Sequence, residues 1–477
     1  MSQIFPYQKI RRFLALRWHL WIPLFAAGGQ LLLFGLVYPK YPDTIFSPDS
    51  VSYIQTAKAF AATGHFAKSP ELLDIPQLAR TPGYPLFLAC FFLLAGERYA
   101  LIIVAQIILS GCTIFLAARI ALNRWQDKNI ATLAALLLTI DISSTVASQQ
   151  ILTETLFTFV LTVALWMSDA AFERTASAWR IAVFSGLLAV ATLIRPISYY
   201  LIFPISLLAL YSLRTRTPRQ RWRVTLSMMA ALLLPWLTLI GGWQTRNFLV
   251  AGTTEFCTIQ SVNLLFYRGA GIVAQRDGIS FGQAQEQLGY GRTYSQIHPE
   301  TRNWTEAQVA LAWKQEGLDL IYHYPVLTLK SQFNGLIKLL FSPGERTLLG
   351  YLGEDDKLSP IQDFFTLAFA DFIDKWTKRK SFYLVFSVYT VTYLLLIYAG
   401  ILTSGWQRIQ CKTQLRFVDI RHAFVGVITV YMLILSSGPE AYSRFRIPIM
   451  PIFCLYAAKG IIGWFPVVRN KLATRQF

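Results

Sequence analysis

The sequence predicts an all-α, polytopic membrane protein, and two observations carry that prediction. Apolar residues make up 54% of the 477-residue chain, aromatic residues 14%, and the mean hydropathy is +0.42. Stretches of roughly 17–25 residues without charge are typical of helices that cross a bilayer. We count about ten, within a range of ten to twelve, near residues 18–38, 99–118, 129–146, 151–168, 180–194, 196–211, 224–243, 381–403, 422–437 and 447–465.

Lysine and arginine recur in alternate loops between these stretches, and such residues collect on the cytoplasmic side of membrane proteins. We therefore expect both termini in the cytoplasm and residues 39–98 and 244–380 outside. About half of the positive residues behind the net charge of +18 lie in the inner loops, so the charge does not indicate a nucleic-acid partner. The five cysteines have no metal-ligand spacing and imply no disulfide framework.

Three regions follow from this topology. Residues 1–243 form an N-terminal transmembrane module whose first outer loop, 39–98, carries a candidate catalytic acid. Residues 244–380 form an outer region, in which 303–322 and 323–341 predict amphipathic helices on the membrane surface. The acidic triplet Glu354–Asp356 in that region is read as solvated, because consecutive acids point in different directions from a helix. Residues 381–477 hold the last transmembrane helices.

The first outer loop predicts two short helices. Ser47 suits an N-cap, Pro48 the first helical position, and Gly64 the end of a helix over 48–63. Asp49 then lies at the head of that helix, where the helix dipole alone accounts for an acid. Its place at the edge of the membrane favours a second interpretation, a contact with a substrate whose tail lies in lipid. A second helix, 84–95, is too short to cross and is predicted at the surface.

Charged and amide side chains mark the outer ends of several predicted spans. An acid in a first helical turn is accounted for by the dipole, and an arginine there reaches lipid phosphates by itself. For each residue considered alone, a contact with the helix dipole or with lipid phosphates remains a sufficient explanation. Recurrence on one face favours a shared phosphate site, because guanidinium pairs well with phosphate esters. The residues are Glu154, Arg195, Arg246, Asn247, Arg444 and Arg446, with Arg80 in the first outer loop.

Six segments, taken in order along the chain, resemble the GT-C glycosyltransferases. The nearest group is the bacterial branch similar to dolichyl-phosphate-mannose protein mannosyltransferases and the lipid A aminoarabinose transferases. The segments are Pro48-Asp-Ser-x-x-Tyr53, Arg80-x-Pro-Gly-Tyr-Pro-Leu-Phe-Leu88, Thr153-Glu-Thr-Leu156, Arg195-Pro196, Arg246-Asn247 and Arg444-Phe-Arg-x-Pro-x-x-Pro451.

The resemblance implies a GT-C-like bundle of about 10–12 transmembrane helices with outer juxtamembrane helices. It also implies a polyprenyl-phosphate sugar as donor and an acid of the first outer loop, here Asp49, that activates the acceptor. Many relatives carry a second acid directly after it, whereas Ser50 stands here. Tyr53, Tyr84 and the outer acid and arginines named above are the expected substrate contacts. The expected location is the bacterial inner membrane, with the site facing outward.

The chemistry can also be argued from the residues. A hydroxyl that attacks an anomeric carbon needs a base, and the leaving polyprenyl phosphate needs cations. Asp49 is the candidate base for an inverting displacement, and Arg80, Arg195, Arg246, Arg444 and Arg446 are the candidate phosphate clamp. No His cluster supports a metal site, so no metal ligand is assigned. A divalent cation beside Asp49, held mainly by water and phosphate, stays open. The acceptor is a lipid, a glycan or a protein.

Two other functions remain in view. A transporter or flippase of lipid-linked sugars usually has ionisable residues near the bilayer midplane. Here those residues gather at the outer ends of spans, and Lys459 is the exception, so an enzyme is favoured. A polymerase of lipid-linked units would share the outward arginines, and the sequence does not separate it from a transferase.

Overall fold

The computed structural model describes residues 18–173, 177–212, 218–342, 344, 348, 350–352, 381–410 and 420–464. The predicted acidic triplet Glu354–Asp356 and the basic residues of both termini and of 213–217 lie outside this part. The α-helices of the described part are α1 (Trp18–Val37), α2 (Pro48–Thr63), α3 (Gly83–Ala95), α4 (Tyr99–Trp125), α5 (Lys128–Thr139), α6 (Ile142–Ala147), α7 (Thr153–Ala171), α8 (Ala178–Ile194), α9 (Ile202–Ser212), α10 (Pro218–Ala251), α11 (Ile259–Val262), α12 (Ala270–Asp277), α13 (Phe281–Gln287), α14 (Tyr294–Ile297), α15 (Glu306–His323), α16 (Pro325–Phe341), α17 (Ser381–Gln410), α18 (Ile420–Ser436) and α19 (Met450–Ile462).

The predicted all-α, polytopic class is confirmed, and the chain is an integral membrane protein. Among the described residues, β-type pairing is confined to an isolated bridge between Ala67 and Pro76. Six described helices are long and apolar enough to cross a membrane: Trp18–Val37, Tyr99–Trp125, Thr153–Ala171, Trp222–Ala251, Val385–Gln410 and Ser443–Ile462. Shorter apolar helices are Gly83–Ala95, Lys128–Thr139, Ala178–Ile194, Pro196–Tyr211 and Ile420–Ser436.

The stretch predicted as one span over 129–146 is broken, and this prediction was wrong in its continuity. α5 ends at Thr139, and Asp141 caps α6 by accepting from the backbone N–H of Ser144 at 3.0 Å. Asp141 is 2% exposed, so a buried acid interrupts a segment that the sequence analysis treated as free of charge. A local side-chain bond of this kind competes with helix continuation.

The chain between α6 and α7 is not helical, and its backbone polar groups need partners inside the bundle. Gln106 on α4 supplies them, because its Nε2 donates to the carbonyls of Ser148 at 3.3 Å and Gln150 at 2.7 Å. Its Oε1 accepts from the Tyr84 hydroxyl at 2.8 Å. α7 then begins at Thr153.

The outer region has the two amphipathic helices that the sequence predicts, α15 and α16, with α15 beginning at Glu306. Exposed apolar side chains of α16 lie on one face at Val326, Leu329 and Phe333. Such a stripe is typical of a helix lying on a membrane surface. A methyl group on Gly335 of α16 would lie 2.2 Å from the carbonyl oxygen of Gly438, so the outer region packs directly on the loop after α18.

Candidate active site

Hydrogen bonds join the head of α2 to the residues just before α7. Pro48 occupies the first helical position after Ser47, as predicted. The Ser50 hydroxyl donates to the carbonyl of Ile151 at 2.8 Å and accepts from the Ser47 N–H at 2.9 Å. The N–H of Ile151 donates to the carbonyl of Ile45 at 2.8 Å. Ser50 thus joins the two helix starts.

Asp49 at this helix head receives two guanidiniums. Arg80 Nη2 donates to Oδ1 at 2.9 Å, and Arg444 Nη2 donates to Oδ2 at 3.0 Å. Arg80 is held in turn by the Ser52 hydroxyl at 2.9 Å and the Tyr53 hydroxyl at 3.2 Å, with its guanidinium 4.6 Å from the Tyr53 ring centroid. The Asp49 side chain is 38% exposed, so the site is open to a ligand.

Glu154 lies in the first turn of α7 and is fully buried. Arg444 Nε donates to Glu154 Oε1, so Arg444 links the two carboxylates within the described part of the chain. Arg195 Nη1 lies 2.7 Å from the same oxygen but does not meet hydrogen-bond geometry, so this contact is an ion pair. Arg195 also packs at 5.9 Å from the Phe157 ring centroid.

Gly83 explains how the loop carrying Arg80 comes close to Arg195. A Cβ at Gly83 would lie 2.8 Å from the backbone nitrogen of Ile194, the last residue of α8. Only glycine permits this approach of two backbones. The start of α3 therefore sits against the end of α8, directly before Arg195.

The described network has a simple charge balance: Arg80, Arg195 and Arg444 against Asp49 and Glu154 leave one net positive charge. Burial by itself raises the pKa of Asp49, but the guanidiniums of Arg444 and Arg80 outweigh that effect and hold its pKa below the ordinary value. Asp49 is therefore ionised at neutral pH. An anionic ligand such as a phosphate ester would compete with the carboxylates for the same guanidiniums.

Tyr53 and Tyr84 pack edge to face, with ring centroids 5.2 Å apart. Burial raises the pKa of Tyr53, so its phenol stays protonated and available as a donor. Tyr84 is fully buried and its hydroxyl is taken by Gln106. Tyr53 lines the network through Arg80, whereas Tyr84 supports the ring of Tyr53 from below.

Three other predicted site residues lie apart from this network. Arg246 donates to the carbonyls of Gln77 at 3.0 Å and Phe66 at 2.7 Å, and Asn247 donates to Glu255 O at 2.9 Å. Arg446 is 1% exposed and donates to the carbonyls of Leu339, Leu340 and Ser342 at 2.8, 2.9 and 3.2 Å, which closes the end of α16.

Ser52 and Tyr442 are contacts of the network that the sequence analysis did not single out. Ser52 lies one turn after Asp49 on α2, a spacing that places both side chains on one helix face. Tyr442 accepts from Arg444 Nη1 at 3.3 Å. The helical spacing of Ser52 was a usable signal, whereas a tyrosine in an irregular turn offers none.

A divalent cation beside Asp49, held mainly by water and phosphate, stays a prediction. In the stretches that the structure describes, no group of three His, Cys, Asp or Glu side chains surrounds a common point. Both oxygens of Asp49 accept from guanidiniums, so a cation would have to displace Arg80 or Arg444. We assign no step of the chemistry to a metal.

Comparison with known proteins gives one family match. The family described as dolichyl-phosphate-mannose-protein mannosyltransferase matches residues 79–239. These residues include Arg80, Glu154 and Arg195. No curated protein sequence matches the chain significantly.

Two solved structures align with most of the chain at low TM-scores. The archaeal oligosaccharyltransferase AglB from Archaeoglobus fulgidus, in complex with an inhibitory peptide and a dolichol-phosphate, aligns with a TM-score of 0.49 and 12% identity over 96% of this chain. This chain spans 52% of that protein. ArnT from Cupriavidus metallidurans bound to undecaprenyl phosphate aligns with a TM-score of 0.38 and 14% identity, covering 92% of this chain and 78% of ArnT. The family match covers residues 79–239, about a third of the chain, and agrees over that stretch with the resemblance that the sequence analysis describes.

Proposed function

We propose that the chain transfers a sugar, a hexosyl or pentosyl group, from a polyprenyl-phosphate donor to a hydroxyl acceptor on the outer face of a membrane, with inversion at the anomeric carbon. The observation that carries the proposal is Asp49, a partly exposed carboxylate held between the guanidiniums of Arg80 and Arg444 at the head of a helix. It combines the base and the cations that such a displacement needs.

The reaction balances as one displacement. The acceptor oxygen forms a bond to the anomeric carbon while the bond from that carbon to the phosphate oxygen breaks. The acceptor proton passes to the Asp49 carboxylate, and the leaving polyprenyl phosphate keeps the electron pair of the broken bond. Arg80 and Arg444 neutralise the charge that grows on the phosphate. Glu154 orients Arg444 from below and does not touch the reacting atoms.

Both oxygens of Asp49 accept hydrogen bonds from guanidiniums, which would leave it a poor base. Arrival of the donor phosphate removes this obstacle, because it draws guanidinium hydrogen bonds away from the carboxylate. The negative charge of Glu154 keeps Arg195 and Arg444 in place during that exchange. Donor binding therefore frees the base next to the reacting carbon.

The transporter alternative requires ionisable residues near the bilayer midplane. Lys459, which the sequence analysis places inside a span, has its Nζ 5.4 Å from the ring centroid of Trp125, which ends α4. The site network lies near the opposite end of α4, where Glu97 pairs with Lys58 of α2. This placement of Lys459 away from the bilayer midplane favours an enzyme over a transporter.

The test is an assay of purified protein in nanodiscs with synthetic polyprenyl-phosphate sugars and a panel of hydroxyl acceptors. We expect release of polyprenyl phosphate that depends on the acceptor, and a glycoside of inverted configuration by nuclear magnetic resonance. Retention of configuration would contradict direct displacement with Asp49 as base. Movement of intact donor across a sealed vesicle, without cleavage, would support the transporter instead.

A further inference from the structure

The chain between α2 and α3 forms a closed loop, and the end of that loop carries Arg80. The loop is closed where the N–H of Gln77 donates to the carbonyl of Phe66 at 3.1 Å. Three residues after Gln77, the guanidinium of Arg80 contacts Asp49. The backbone from Gln77 onward therefore decides where the Arg80 side chain begins.

The side chain of Gln77 joins the end of this loop to α2. Gln77 is 4% exposed, and both ends of its amide have partners. Its Oε1 accepts from the N–H of Ala79 at 3.0 Å and from the N–H of Arg80 at 3.3 Å. Its Nε2 donates to the Thr56 hydroxyl at 2.9 Å. One side chain thus fixes the backbone of Arg80 relative to α2.

Thr56 lies on the face of α2 that also binds the Arg80 side chain. Tyr53 follows Asp49 by four residues, and Thr56 follows Tyr53 by three, so the three side chains lie above one another on the helix. Thr56 is fully buried. The same helix face therefore holds Arg80 twice, by its backbone through Gln77 and by its guanidinium through Asp49.

The main chain of Gln77 is held by Arg246 of α10. Arg246 Nη1 donates to the carbonyl of Gln77 at 3.0 Å, and Nη2 donates to the carbonyl of Phe66 at 2.7 Å. The guanidinium of Arg246 also packs 4.9 Å from the ring centroid of Trp243. Both the main chain and the side chain of Gln77 are therefore fixed.

We propose that Gln77 is a positioning residue for sugar transfer, which holds Arg80 where its guanidinium can meet both Asp49 and the donor phosphate. The inference rests on the proposed function for the role of the phosphate, but the placement of Arg80 is measurable without a donor. A displacement of about 1 Å at a reacting group can cost about 10²-fold in rate, so the placement of this cation affects turnover.

A purely structural role of Gln77 makes a different prediction. A loop glutamine can serve the fold alone by satisfying buried backbone N–H groups. Its loss then lowers stability but leaves the guanidinium of Arg80 on Asp49, because Ser52 and Tyr53 also hold it. The two roles therefore differ in the position of that guanidinium.

The first experiment labels the ligand-free protein in nanodiscs with phenylglyoxal and follows the modification of Arg80 by mass spectrometry. Gln77→Met keeps the size of the side chain and removes its hydrogen bonds, so we expect Arg80 to be modified about tenfold faster. Gln30→Met is the matched control. Gln30 is a buried glutamine of α1 whose side chain donates to Ser110 at 3.3 Å, so its loss should leave the labelling of Arg80 unchanged.

Two further variants test the hydrogen bonds themselves. Gln77→Glu keeps acceptor oxygens for the backbone N–H groups, and the Thr56 hydroxyl can donate to it, so labelling of Arg80 should return toward the original rate. Thr56→Val removes only the bond to Nε2 and should speed labelling in the same direction, which keeps the test available if Gln77→Met does not fold. Labelling of Arg80 that is no faster in Gln77→Met or Thr56→Val than in Gln30→Met would overturn the inference.

The pH dependence of kcat connects this placement to the chemistry. Burial raises the pKa of Asp49, but Arg444 and Arg80 hold it below the ordinary value. Displacement of Arg80 in Gln77→Met should move the acid limb of kcat to higher pH, as in Arg80→Gln, and the double variant should move it no further. The rate itself should fall about 10-fold to 10²-fold.

The outcomes separate this inference from the proposed function. If the original chain transfers no sugar, the proposed function fails, while the labelling rates still show whether Gln77 places Arg80. If transfer occurs and Gln77→Met speeds labelling without moving the acid limb, the positioning role is overturned and the transferase stands.

Discussion

Glu154→Gln tests whether the buried ion pairs beneath Asp49 hold the site together. Glu154 is 0% exposed and contacts Arg444 and Arg195, the latter at 2.7 Å. At that distance two unit charges attract by about 6 kcal/mol with an effective dielectric constant of about 20. Desolvation cancels part of this, and removing one partner of a buried pair typically costs about 3–5 kcal/mol. Because glutamine keeps one hydrogen-bond acceptor, we expect the lower end of this range, a loss of about 3 kcal/mol in the free energy of unfolding.

The assay is denaturant titration in detergent micelles, followed by tryptophan fluorescence. Glu97→Gln is the matched control, because Glu97 pairs with Lys58 at 2.6 Å but is 55% exposed, and an exposed pair contributes less than about 1 kcal/mol. Adding Arg195→Met to Glu154→Gln removes the uncompensated cation, so the double variant should lose about 1–3 kcal/mol less than the sum of the single losses. A Glu154→Gln cost no larger than that of Glu97→Gln would refute the reasoning.

Arg446→Met removes the hydrogen bonds to the carbonyls at the end of α16, so we expect a loss of about 3 kcal/mol of unfolding free energy by the same titration. The affinity of the folded protein for polyprenyl phosphate should not change. A weaker affinity for polyprenyl phosphate would show that Arg446 belongs to the phosphate clamp. Arg80→Gln removes a cation that lowers the pKa of Asp49, so less carboxylate is ionised at a given acidic pH and the acid limb of kcat should move to higher pH. If the acid limb of kcat does not move, the protonation of Asp49 does not control the rate. In a chain without native cysteines, a cysteine at position 97 should be labelled from outside and one at 126 from inside, because they flank α4. The reverse pattern would invert the topology.

Local signals in the sequence predicted the helices well. Pro48 and Gly64 bound α2 as predicted, because their backbone preferences act within a few residues. α15 and α16 also follow the predicted segments closely. The break at Asp141 was missed, because hydropathy averages over a window and dilutes one acid in an apolar run. Such a break depends on distant partners, here Gln106, that a local pattern does not contain.

The sequence indicated individual charged residues of the candidate site, but it did not indicate which of them contact one another. Arg444 and Arg446 look equivalent in the sequence, yet the first reaches Asp49 and the second closes α16. Two residues apart in an irregular turn, they point to different neighbours, and neither hydropathy nor charge bias carries that information. The contact of Asp49 with Arg444 joins residues 395 positions apart, which only the packing of the whole bundle decides.

The assignment of Asp49 as base is tested most directly by sugar transfer in Asp49→Asn, measured from a polyprenyl-phosphate sugar with donor binding and unfolding followed in parallel. Asparagine keeps the shape and one acceptor oxygen but takes no proton at neutral pH, so we expect transfer to fall by about 10²–10⁴. Donor affinity should be kept or rise, because the carboxylate no longer competes with the phosphate for Arg80 and Arg444. Asp43→Asn, in the same outer loop and exposed, should retain full activity. Turnover of Asp49→Asn near that of Asp43→Asn would contradict the assignment and move the search for the base to Glu154.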